Sequence, residues 1–231
     1  VYLASEEGYK VDHLEPEDGY FAEYRGPDPY DIRVAELLLG EHHNRTCQTI
    51  FHPSFQAERA VYVTGAVGEE NAVVVAKELR PALWSAMTDV LQRESTDGSY
   101  SHTSGSRRDA LEKVTVTVIK GTATLDTSTV ELLEAVWSMA LMEVRYRIER
   151  ADGFDGTVYH IASFIPGEGY RAGTTWSPPP GSKPRDLVEL AEALETFARS
   201  SEAERSDARR HLVRLGKALH DRLRGFEGTL E

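Results

Sequence analysis

The chain has 231 residues, 40% of them apolar, and a net charge of -12, which suits a folded globular chain with a substantial core. That charge argues against nucleic acid, because a binder of nucleic acid must first neutralise phosphate. One cysteine cannot staple the chain with an intrachain disulfide, and no apolar run approaches the roughly 20 residues that cross a bilayer. With no signal-like segment visible either, a cytoplasmic, membrane-free setting is the expectation.

Residues 1–41 hold eleven Asp or Glu against Lys10, Arg25 and Arg33. Prolines and glycines interrupt regular structure over 1–30. Tyr20, Phe21, Tyr24 and Tyr30 are too aromatic for a solvated tail, so an acidic arm packed on the rest of the chain is expected. Residues 31–39 form a short helix or strand, with Ile32, Ala35, Leu38 and Leu39 near one face.

β-branched runs then follow. "TIFHPSF", "RAVYVTG" and "NAVVVAK" read as strands, the last two joined by a hairpin. Pro81 suits the first turn of a helix whose stripe is Leu83, Trp84, Met87, Val90 and Leu91. The polar stretch 93–109 reads as a long loop. A strand over 113–120 is expected to place Val114, Val116 and Val118 on one face. Ser128 and Glu131 spell a capping box. The helix it opens, 128–147, has so wide an apolar face that it should be the most buried.

"TVYHIASFI" is another strand, "PGEG" a tight turn and "YRAGTTW" its return. Asp152 and Asp155 flank Gly153 as turn chemistry. "SPPPGSKP" ends the regularity, and two amphipathic helices close the chain with a second capping box, Ser201 and Glu204. A one-sided apolar stripe on each suggests that both lie on a common surface. The arginines of the last helix are interleaved with Glu204, Asp207 and Asp221 and read as a solvated face. The expected architecture is α+β, one compact domain over 1–231, with a mixed or antiparallel sheet and helices packed mainly on one face.

Chemistry is sparse. Three histidines and the cysteine crowd into residues 40–55, where His43, Cys47 and His52 are ligand types that zinc prefers. On a strand, positions 43 and 47 would sit about 13 Å apart, and no second Cys completes a set. The simpler reading makes Cys47 a small core residue, with no metal and no cofactor. Asp126 sits between strand and helix, a common place for a catalytic carboxylate, and close to the Ser128 cap, where helix-terminal N–H groups favour an anion. His102 lies among hydroxyls and arginines that could meet an anion. Trp176 ends a strand before three prolines that hold the chain extended. No H-E-x-x-H, G-x-S-x-G, G-x-G-x-x-G, P-loop or EF-hand loop is present.

The expected function is therefore non-enzymatic: a protein-binding module whose partner is more basic than itself, for example an enzyme that it inhibits. The acidic arm would steer encounter, and Tyr20, Tyr24, Tyr30 or Trp176 would anchor the contact. The alternative is a small-molecule enzyme, a hydrolase or transferase, with a pocket built on His52, His102 or Asp126.

Overall fold

The computed structural model describes residues 11–17, 21, 28–40, 45–65, 72–95, 103–146 and 155–225. In chain order these form β1 (Glu15–Pro16), α1 (Pro29–Leu38), β2 (Arg45–Pro53), β3 (Arg59–Thr64), β4 (Ala72–Arg80), α2 (Leu83–Glu94) and α3 (Ser104–Lys113). Then come β5 (Thr117–Leu125), α4 (Thr127–Met142), β6 (Thr157–Ile165), β7 (Gly169–Trp176), α5 (Lys183–Arg199) and α6 (Glu202–Arg224). The strands join one sheet in the order β1-β7-β6-β2-β3-β4-β5, antiparallel throughout. The fold is α+β.

Period-2 alternation divides the side chains between two cores. On the first face, Phe51, Val61, Val74, Ala123 and Ile161 meet the long helices α4 and α5, and α6 joins the same core from outside. On the second, Ile50, Tyr62, Val75 and Leu79 meet the shorter α1, α2 and α3. Among the described residues, no helix is long and apolar enough to cross a membrane.

The first face is built in tiers. α4 packs over β2, β6 and β7, and α5 over β3, β4 and β5. α6 does not share their surface; it lies across α4 and α5 as an outer layer. Its approach is close enough that a Cβ on Gly216 would stand 3.1 Å from Leu132. The expectation about burial is corrected: α4 and α5 both lie between the sheet and α6, but α5 packs more extensively on each and buries eleven of its 17 residues, whereas α4 buries seven of 16. α4 also ends at Met142, short of 147.

Other expectations shift for local reasons. The stretch read as a loop contains α3, capped by Thr103, whose side chain accepts from the Ser106 N–H. Its Ser, Gly and Arg content hides a helix that only Ala110 and Leu111 anchor in the core. α3 consumes Lys113, so β5 starts at Thr117 and runs on to Leu125. Val114, Val116 and Val118 nonetheless pack together on the second face, as their spacing required. α1 is a helix that buries Tyr30, Val34 and Leu38, while Ile32 points outward. Pro81 stands two residues ahead of α2, whose N-cap residue is Ala82. α6 carries the capping box of Ser201 and Glu204.

Candidate functional site

β2 carries a register shift between Thr46 and Thr49, with Cys47 at a φ of 49°. The bulge turns Cys47 into the first-face core. Burial, then the nearby Glu134 carboxyl, pushes the Cys47 thiol well above its usual range, which removes it as a nucleophile at neutral pH. His52 projects to the opposite face, against Tyr30. Cys47 and His52 therefore cannot share a metal, and His43 lies outside the described residues. Among the described residues, no group of three His, Cys, Asp or Glu is placed to hold one.

Asp126 is the N-cap of α4, a role that the sequence had assigned to Ser128. Its carboxylate accepts from the Thr129 N–H at 3.0 Å, from the Thr129 hydroxyl at 2.7 Å and from the Ser128 hydroxyl, and it pairs with Arg209 of α6. Those contacts occupy the oxygens that catalysis would need. Asp126→Ala is expected to cost about 1 kcal/mol from the lost cap. Arg209→Ala should cost only a few tenths, since the pair is exposed. Urea unfolding of both variants measures the difference, and equal losses would contradict the capping role.

His52 and Tyr30, drawn from the two rival functional readings, meet in one row of rings on the second face. The Tyr30 ring lies 5.3 Å from His52 and 5.4 Å, edge-on, from Trp84. His160 is 6.3 Å beyond His52, and its Nδ1 is 3.0 Å from a Glu17 carboxyl oxygen. At the other end the Arg107 guanidinium lies over Trp84 and pairs with Asp28 at 2.5 Å. Burial, then His160, lowers the His52 pKa to about 4 against the opposing pull of Glu58. The imidazole is thus neutral at pH 7 and packed among rings. Tyr30, 3% exposed, is already spent on the core and cannot anchor a partner. Trp176 is half-buried at the end of β7. Tyr20, Tyr24 and His102 lie outside the described residues.

A cleft of about 480 Å³ opens elsewhere, where α5 crosses the ends of β3 and β4. Its charges answer one another. Glu195 meets Arg59 at 2.5 Å and Arg199 at 3.1 Å, and Arg199 reaches Glu78 at 3.5 Å. Burial raises the Glu195 pKa, with both arginines opposing. Arg59 also lies 4.6 Å above the Phe51 ring. This network seats α5 on the sheet.

What the sequence reading missed is an aromatic face. Phe164 and Tyr170 are directly opposed in the β6–β7 register, so their side chains share a face. It is the second face, because Ile161 and Ile165 carry the other parity into the first-face core. α4, the helix that packs on β6 and β7, does so from the first side. The two rings remain 53% and 46% exposed. The described residues of the arm lie beside this part of the sheet. β1 pairs with β7, Leu14 is buried against Gly173, Glu17 reaches His160, and the Phe21 ring lies 6.3 Å from Tyr170. Strict alternation in "TVYHIASFI" would have set Phe164 opposite the core; only the uncovered neighbourhood makes it conspicuous.

No protein-family model matches the chain, and neither a curated protein nor a solved structure is significantly similar to it.

Proposed function

We propose that this chain is a non-enzymatic protein-interaction module that engages a partner more basic than itself. One observation carries the reading: Phe164 and Tyr170 stand exposed side by side on the sheet, with Phe21 of the arm 6.3 Å from Tyr170. Exposed rings on a chain of net charge -12 suit a contact in which charge guides encounter with a basic partner and buried rings supply affinity. The anchors are then Phe164, Tyr170 and Phe21, in place of Tyr30. Inhibition of a basic, nucleic-acid-directed enzyme is the form of action that best suits the charge. The enzyme alternative has less support, because His52 is enclosed by rings on the second face and Asp126 is engaged at the α4 cap.

The test is affinity capture from the native cell with the wild type and with the double variant Phe164→Ser, Tyr170→Ser. A discrete, basic captured protein is expected, released by rising salt. The double variant should bind it at least about 30-fold more weakly, the effect of losing ring anchors. Retention of the same protein by the double variant at unchanged affinity would overturn the assignment of this face.

A further inference from the structure

Among the described residues, 13 of the 22 lysines and arginines have a carboxylate at hand, as Arg59, Arg107, Lys113 and Lys183 do. Arg45, Lys77 and Lys120 do not: among the described residues, none has a carboxylate within ion-pair distance. All three stand on the second face, two of them about one ring. The Arg45 guanidinium lies 5.7 Å from the centre of the Tyr62 ring, and the Lys77 ammonium 5.9 Å from the same centre. Lys120 is the direct cross-strand partner of Lys77 in the β4–β5 register. Like charges directly opposite on an antiparallel pair are destabilising, a repulsion that a bound anion would relieve.

Arg45 adds an independent sign. Its Nη1 donates to the Leu39 and Gly40 carbonyls at 2.7 and 3.2 Å, where α1 ends. Its Nε is buried and has no hydrogen-bond partner. The guanidinium is thus held fixed with a donor still unused, and it also sits beside the Tyr170 hydroxyl. Lys77 responds to its surroundings: burial, then Lys120, then Arg45 pull its pKa below the usual lysine range.

We propose that Arg45 and Lys77, set about the Tyr62 ring, with Lys120 directly across from Lys77, form a binding site for a phosphoryl group, as free phosphate or a phosphate monoester. The charge arithmetic favours phosphate over a carboxylate. Three cations are better neutralised by a dianion with three acceptor oxygens, and a fixed guanidinium beside two mobile ammonium groups suits that geometry. The site is separate from the proposed protein contact and touches it only through Tyr170.

Calorimetric titration with inorganic phosphate, glycerol phosphate and acetate at constant ionic strength tests this. Saturable phosphate binding is expected, with a dissociation constant on the order of 1 mM or tighter. Lys77→Gln with Lys120→Gln, and separately Arg45→Gln, should each weaken it by at least about tenfold. Lys217→Gln, on the exposed side of α6, should leave it unchanged. Tighter binding of glycerol phosphate than of phosphate would mark a monoester as the ligand, and the reverse the free anion. Absence of saturation, equal heats from acetate, or full binding by the lysine double variant would overturn the proposal. The lysine variant should also unfold at a higher temperature than wild type in phosphate-free buffer, because a like-charge pair has been removed.

Discussion

Glu58→Ala is expected to destabilise the protein by about 4 kcal/mol, the larger of the two greatest effects anticipated here. Glu58 is fully buried just ahead of β3. One of its carboxyl oxygens accepts from the Tyr30 hydroxyl and from the Trp84 N–H at 3.1 Å; the other accepts from the Leu83 N–H at 2.8 Å. α2 has no side-chain cap of its own, since Ala82 holds the N-cap position. Glu58 therefore caps α2 from a distant part of the sequence and ties α1 to it through Tyr30. Alanine would strand two backbone donors and a hydroxyl in the second-face core, at about 1–3 kcal/mol each where water cannot reach. The melting temperature should fall by roughly 10 °C. Glu58→Gln keeps one acceptor oxygen and should lose only part of this. A urea-unfolding loss of under about 1 kcal/mol for Glu58→Ala would refute the capping role.

The second large effect is a loss of stability on acidification that belongs to His52. Its pKa falls from an ordinary 6.5 to about 4 in the folded protein. Above pH 6.5 the imidazole is neutral in both states and contributes no pH dependence. As pH falls below 6.5 the unfolded chain takes up a proton that the folded chain refuses, so stability declines. The decline is complete near pH 4, where the folded ring is protonated too. Stability falls by about 1.4 kcal/mol for each pH step across that window, so the full loss approaches about 3 kcal/mol. His52→Gln should flatten the stability profile between pH 6.5 and 4 relative to wild type, whatever the nearby carboxyls add in both proteins. Parallel profiles for the two proteins in chemical denaturation would contradict this account.

Both effects hinge on groups whose importance depends on where the chain brings them. His52 drew notice for its neighbours in sequence, Cys47 and His43. In space it belongs with Tyr30 and His160, because the β2 bulge and the strand pleat send Cys47 the other way. Glu58 drew no notice, since a single glutamate between two strands looks like any solvated turn residue.

By itself the sequence determined those elements whose cause is local. The β-branched runs became β3, β4 and β6, the glycine turn joined β6 to β7, and Ser201 with Glu204 opened α6. Side-chain period, turn chemistry and capping act within a few residues, so they can be read in place. α3 escaped because its own residues barely favour a helix; Ala110 and Leu111 supply the stability only when the second-face core receives them. α5 outranked α4 in burial because it packs more extensively against both the sheet and α6, a fact carried by no residue of α5 alone. Tertiary structure also decided which aromatics are spent and which are offered. Tyr30 is enclosed because α1 turns it onto Glu58, while Phe164 and Tyr170 stay open because, among the described residues, no long helix lies over their side of β6 and β7. Burial and pairing depend on residues far apart in the chain, and their energies exist only once folding has brought those residues into contact.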